Sequence, residues 1–109
     1  MIDLPPAQLK IVQTILAQYA PDCEVRAFGS RVRGTAKPYS DLDLVFIGRS
    51  RLPFKKISAI RTAFEESELL FRVDVLDWHA LSPQFQQIIL QANQLLQSGS
   101  QFAESVEVR

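Results

Sequence analysis

A chain of 109 residues that is 47% hydrophobic is long enough for one domain with a real core. Its 12 Lys and Arg balance 12 Asp and Glu, and a formal net charge of zero argues against a protein that coats nucleic acid. The lone cysteine, Cys23, excludes an internal disulfide. No run is apolar enough to span a bilayer, and the opening Met-Ile-Asp-Leu-Pro-Pro lacks a basic signal region, so the expectation is a soluble cytoplasmic protein.

In chain order, Pro5 and Pro6 suit a helix start, where missing N–H groups cost nothing. Leu9, Val12, Leu16 and Tyr19 then recur at spacings of three and four, predicting an amphipathic helix that ends before Pro21. Cys23 reads as a small, semi-buried residue ahead of a strand. Glu24 to Phe28 alternates polar and apolar residues and predicts that strand. Ser30 to about Gly34 is a short helix or turn, and Lys37-Pro38-Tyr39-Ser40 is a loop. Asp41 to Ile47 predicts a buried strand, and Gly48 to Pro53 a loop. Phe54, Ile57, Ile60, Ala63 and Phe64 mark a second long amphipathic helix, and Phe71 to Leu76 a third strand. Ser82 and Pro83 read as the cap and first residue of a last helix. Its apolar stripe is expected to run through Phe85, Ile88, Ile89, Ala92, Leu95 and Leu96. Gln84, Gln86, Gln87, Gln91, Gln94 and Gln97 form its polar face, read first as solvated and alternatively as a surface for a partner. A flexible tail is expected over 98–109, leaving a core of about 9–96. The order helix, strand, strand, helix, strand, helix predicts a single α/β domain of the α+β type over 1–109, a small mixed β-sheet with helices packed against it.

The chemistry concentrates between Phe28 and Val45. Asp41 and Asp43 lie two residues apart at the start of an apolar strand, a spacing that sends both carboxylates to one face of a sheet. Two such anions repel unless a cation sits between them. Gly29-Ser30 ends the preceding strand, and a strand-to-helix turn presents backbone N–H groups suited to phosphate. Asp74, flanked by valines, is costly to bury unless paired or metal-bound. A salt bridge to Arg26 or Arg72 would explain it alone; beside Asp41 and Asp43 it reads as a third metal-facing carboxylate. The candidate catalytic and metal residues are therefore Asp41, Asp43 and Asp74, holding Mg²⁺, with two ions expected and Mn²⁺ an acceptable substitute. Gly29, Ser30, Arg31, Arg33 and Ser40 are the candidate nucleotide contacts, and the basic residues Arg31, Arg33 and Lys37 are not ranked by the sequence.

Other readings of these residues are less favoured. Asp-x-Asp occurs also in metal-dependent glycosyltransferases and in aspartyl phosphatases, but the latter place their acids after the apolar strand. The segment lacks the third acid and glycine of a calcium loop, and Gly29-Ser30 lacks the lysine of the common phosphate loop. His79 is the lone histidine, with no serine or cysteine partner indicated. Asp77 reads as a strand-end cap and Trp78 as packing.

Gly29-Ser30, ten intervening residues and then Asp41-Leu42-Asp43 resemble the signature of the nucleotidyltransferase superfamily that includes DNA polymerase beta, and Asp74 falls where that superfamily places its last carboxylate. The short chain resembles its minimal nucleotidyltransferases. The resemblance implies an enzyme that transfers AMP from ATP, or uses another NTP, with a tyrosine of an all-helical HEPN-type partner as acceptor. It further implies the antitoxin role of a toxin–antitoxin pair and a hetero-oligomer. The alternatives are a nucleotide-binding subunit without efficient transfer, or transfer to a small molecule.

Overall fold

The computed structural model describes residues 2–99. Helix α1 spans Pro6–Tyr19, strand β1 Glu24–Phe28, helix α2 Ser30–Arg33, strand β2 Leu42–Ile47, helix α3 Phe54–Glu65 and strand β3 Val73–Asp77. A 3₁₀ turn over Trp78–Ala80 leads to helix α4, Pro83–Gln91, and strand β4, Gln94–Gln97. The strands form one mixed sheet in the order β3-β2-β1-β4, with β2 and β3 parallel and the other two pairs antiparallel. The parallel pair follows from α3, since parallel neighbours need a crossover.

The two faces of the sheet are covered differently. Val25, Ala27, Leu42, Leu44, Phe46 and Val75 point to one face and pack with Val12, Leu16, Ile57, Ile60 and Phe64 of α1 and α3. On the other face a smaller cluster joins Phe28 and Val45 to Ile89 of α4, with Leu76, Trp78 and Leu81 around it. Helix α4 covers only part of that face, and the uncovered part holds the acids. Among the described residues no helix is long and apolar enough to cross a membrane.

The chain departs from expectation after Gln91. The predicted last helix stops there, and Leu95 and Leu96 belong to β4, with Arg26 opposite Leu95 and Ala27 opposite Gln94. Ala92 leaves helical geometry at φ −155°, ψ 108°. The Asn93 amide then donates to the Ile89 carbonyl at 3.2 Å, while its oxygen accepts from Arg26 Nη1 at 2.9 Å. Leu95 and Leu96 are adjacent, so in a strand they face opposite ways. Leu95 is exposed and Leu96 packs on the main core. Strand β4 covers what would otherwise be the open edge of β1. Gln94 and Gln97 leave the helical polar face accordingly, and Gln97 Nε2 donates to the carbonyls of Ala20 and Cys23 at 2.8 and 3.0 Å. Gly99 lies against backbone: a Cβ there would come within 2.7 Å of the Asp22 carbonyl oxygen. The expected tail lies outside the described residues from Ser100 onward.

Candidate nucleotide and metal site

Strand register sets the geometry of the acids. Asp43 lies opposite Asp74 across the parallel β2–β3 pair and opposite Phe28 across the β1–β2 pair. Both side chains are half-buried on the face that α4 leaves open. The Asp43 carboxyl is pushed above the usual carboxylate range, first by burial and then by the negative charges of Asp74 and Asp41, with Arg72 acting in the other direction. Such a group favours a proton or a cation.

Asp41 stands just outside β2, which begins at Leu42. Its carboxylate accepts from Arg72 Nη2 at 3.2 Å, in an ion pair whose side chains are 44% and 76% exposed. The arginine considered as a partner for Asp74 therefore pairs with Asp41. The other, Arg26, pairs with Glu24 at 2.6 Å. Among the described residues no group of three or more His, Cys, Asp or Glu side chains is gathered to hold a metal ion. Asp43 and Asp74 are register neighbours, and Asp41 is engaged by Arg72 while its charge still reaches Asp43. An exposed pair of this kind is worth about 0–1 kcal/mol, so releasing Asp41 toward the other two is inexpensive. The donor set of hard oxygens, one of them electrostatically strained, fits a divalent cation such as Mg²⁺.

The Gly29-Ser30 turn touches this acid pair directly. Gly29 has φ +79°, a value L side chains rarely adopt, and its Cα abuts Asp43: a Cβ there would collide with the carboxylate oxygen and lie 3.2 Å from Asp43 Cγ. The Gly29 carbonyl accepts from the N–H groups of Val32 and Arg33 at 3.0 and 3.1 Å, closing the first turn of α2. Gly34 closes the other end in the left-handed conformation, also at φ +79°, where its N–H donates to the Ser30 carbonyl. Between two glycines the chain turns tightly from the sheet into α2, with Gly29 against Asp43.

The basic candidates separate clearly. Arg33 and Lys37 are exposed. Arg31, expected among the nucleotide contacts, is 4% exposed. Its Nε and Nη2 donate to the Ser40 carbonyl at 3.0 and 2.8 Å, Nη2 also to the Pro38 carbonyl at 3.1 Å, and Nη1 to the Asp3 carbonyl at 2.9 Å. Its guanidinium carbon lies 4.2 Å from the centre of the Phe71 ring. A guanidinium so enclosed is directed to backbone carbonyls, which sets Arg31 apart from the exposed Arg33 and Lys37. Ser40 Oγ likewise accepts from the Lys37 N–H at 2.8 Å and shapes the loop.

Residues outside this set have structural partners. Cys23 is buried immediately before β1, and burial raises its thiol pKa. Asp77 accepts from the N–H groups of Leu52 and His79 at 2.8 and 3.1 Å, as a strand-end cap should. His79 Nε2 lies 2.8 Å from the Gly48 carbonyl oxygen. Sequence reasoning missed the contact of Phe85, whose ring meets Phe28, the residue before Gly29, edge-on at 6.0 Å. Its place in the apolar stripe gave no hint of that, since stripe residues look alike until their partners are known. Phe71 has the sequence appearance of a strand start, and nothing local marks it as a platform for a cation.

Residues 10–102 match the family described as polymerase beta, nucleotidyltransferase. The chain is 45% identical over 103 residues to a probable protein adenylyltransferase MntA of Haemophilus influenzae, covering 94% of this chain and 90% of that protein. In fold it is similar to a toxin–antitoxin crystallised with AMP-PNP, at TM-score 0.70 and 22% identity over 92% of this chain and 81% of that one. It is also similar to a chain in the complex of a tri-AMPylated Shewanella oneidensis HEPN toxin with its MNT antitoxin. There the TM-score is 0.58 and the identity 18%, over 92% of this chain and 76% of the other.

Proposed function

The chain belongs to the polymerase beta nucleotidyltransferase family, and from that premise we propose that it is a protein adenylyltransferase acting in the cytoplasm. It moves AMP from ATP to a tyrosine hydroxyl of a HEPN-type partner, as the antitoxin of a toxin–antitoxin pair. The observation that carries this reading is the contact between its two half-sites: the positive-φ Gly29 lies directly against Asp43, and Asp43 lies opposite Asp74. A phosphate-binding turn and a carboxylate pair in contact suit a metal-bound triphosphate. The relatedness to a probable protein adenylyltransferase supports the choice of a protein acceptor.

In this reading the N–H groups at Gly29 and Ser30 hold the terminal phosphates, and the exposed Arg33 and Lys37 offset the charge of the departing pyrophosphate. Asp41, Asp43 and Asp74 would hold Mg²⁺, two ions in the full site. A cation held there would supply positive charge at the reacting phosphorus and lower the pKa of the acceptor hydroxyl. Asp74, on an edge strand, takes the proton from that hydroxyl as its oxygen bonds to the α-phosphorus and the bond to pyrophosphate breaks. One observation favours the second reading, a nucleotide-holding subunit without efficient transfer: the engagement of Asp41 by Arg72.

Incubation with α-labelled ATP, Mg²⁺ and a HEPN protein encoded beside this chain tests the choice. Label is expected on the HEPN protein, and Asp41→Asn or Asp43→Asn should reduce its incorporation by at least about a hundredfold. Label on a small acceptor would redirect the reading. Binding of ATP without label on any acceptor would favour the second one.

A further inference from the structure

We infer that Arg31 is a positioning residue that sets where Asp41 stands, and through it how tightly the acids hold a divalent cation. The inference rests on the metal role given above to Asp41, Asp43 and Asp74. Two of the four hydrogen bonds from Arg31 end on the Ser40 carbonyl, at 2.8 and 3.0 Å. That carbonyl belongs to the peptide unit that carries the Asp41 nitrogen, and a peptide unit moves as one plane. A third bond, to the Pro38 carbonyl, reaches two residues further back into the same loop. The fourth, to Asp3, anchors the guanidinium to the segment ahead of α1.

The loop has few other restraints. Its own bonds are the 3.0 Å contact from Ser40 N–H to the Lys37 carbonyl and the 2.8 Å contact from Lys37 N–H to Ser40 Oγ. Lys37, Pro38 and Tyr39 are exposed. Asp41 is thus held at both of its peptide units and at its carboxylate, the Leu42 N–H donating to the Arg72 carbonyl at 2.9 Å on its C-terminal side. Arg31 holds its peptide from beneath, and Arg72 holds its carboxylate from β3's side. Phe71, the ring under the Arg31 guanidinium, immediately precedes Arg72, so one short segment supports both holds. Arg31 also lies on α2, whose N-cap is Gly29. It therefore ties the phosphate turn to the acid loop as a single unit.

The chemistry requires arginine. A buried guanidinium with no carboxylate partner among the described residues pays a desolvation cost that hydrogen bonds must offset. Its planar fork reaches three carbonyls and stacks on a ring in one geometry. An ammonium on a flexible stem has the charge without the fork.

The test compares the full chain with Arg31→Lys, and with Ile60→Val in α3 as a variant weakened away from the loop. Mn²⁺ is titrated without nucleotide, and transfer kinetics are measured with the HEPN protein present. Arg31→Lys should weaken Mn²⁺ binding by about tenfold, the scale on which groups that orient ligands act. It should lower kcat with the KM for ATP changed by less than about threefold. Ile60→Val should lower Tm and leave Mn²⁺ affinity unchanged. If Arg31→Lys does not fold, Phe71→Leu, which removes only the stacked ring, should weaken Mn²⁺ binding by about two- to threefold. Wild-type Mn²⁺ affinity in Arg31→Lys overturns the inference alone. So does a raised KM for ATP at unchanged kcat, which would make Arg31 a phosphate contact. Equal weakening in Ile60→Val also overturns it, while a wild-type chain that binds no Mn²⁺ overturns it together with the metal reading.

Discussion

Asp43 occupies a place that does not favour a carboxylate. Burial and the charges of Asp74 and Asp41 all raise its pKa above the ordinary range. The sign of the consequence follows from linkage. A raised folded-state pKa means that the native chain binds the proton more tightly than the unfolded chain does. The associated stability is complete below the ordinary carboxylate pKa and is lost as pH rises through the raised one. Asp43→Asn removes the charge and keeps the shape. In chelator at pH 7 it should melt a few degrees above wild type, and the gap should close as pH falls below the ordinary carboxylate range. Mn²⁺ should then raise the Tm of wild type and leave that of the variant unchanged. A variant that melts below wild type in chelator at pH 7 would mean that Asp43 is not an electrostatic liability. Gly29 is tied to the same residue. Gly29→Ala combines an unfavourable φ with a side chain that displaces Asp43, so its cost to the fold of about 1–3 kcal/mol should accompany near-complete loss of transfer. Denaturant melts and the labelling assay measure the two separately. The identity of both residues was legible in the sequence, because a glycine before a serine and two acids before an apolar run are local patterns. Their contact was not legible, since residues 29 and 43 meet only when β1 and β2 pair.

At the scale of elements, α4 secures the face of the sheet that bears the site. Ile89 is 1% exposed and packs on Phe28 and Val45, which flank Gly29 and Asp43 in sequence or along the strand. Ile89→Ala should destabilise the chain by about 2–5 kcal/mol, as buried large-to-small changes do. Amide exchange should quicken in α4 and at Phe28 before it quickens in α1 and α3, which belong to the other cluster. Uniform acceleration across both clusters would mean that the two faces do not open independently. Helix α4 also shows where periodicity misleads. Spacings of three and four continue through Leu95 and Leu96, and glutamine is at home on a helix surface. Only a partner strand distinguishes Gln94–Gln97 from another helical turn, and that partner, β1, lies some seventy residues earlier. The local signal that existed was Asn93, a residue that takes helix-end carbonyls readily, as it does at Ile89.

For the molecule as a whole, the proposed acceptor is another protein, so the chain and a HEPN partner should travel together. Ile88 and Leu90 of α4 and Leu95 of β4 are 49%, 55% and 43% exposed, apolar surface of the kind a partner covers. Co-expression should yield one species of combined mass by size-exclusion chromatography with light scattering at micromolar concentration, burying more than about 1,000 Å² in total. Separate elution with and without ATP and Mg²⁺ would remove the partner from the proposal. The zero net charge carries a companion expectation, that the chain alone binds duplex nucleic acid no better than a neutral protein does.

Chemistry encoded within a few residues could be read before folding. The Gly29-Ser30 turn, the paired acids, the strand-end cap at Asp77 and the helix start at Ser82-Pro83 depend on neighbours one to four positions away, and each has a geometry that few residue types permit. The sheet's mixed character also followed from the order of elements, since a helix between two strands allows them to run parallel. Folding had to decide the rest, because it depends on pairings across long stretches of chain. These are the register that sets Asp43 opposite Asp74, the ion pair that draws Asp41 to Arg72, and the conversion of the last stripe into β4. The burial of Arg31 is the clearest case. A basic residue in a segment proposed to bind phosphate has the charge of a ligand contact, and charge is visible in sequence. Which carbonyls surround its guanidinium is set by the folded backbone, and that arrangement turns the residue inward.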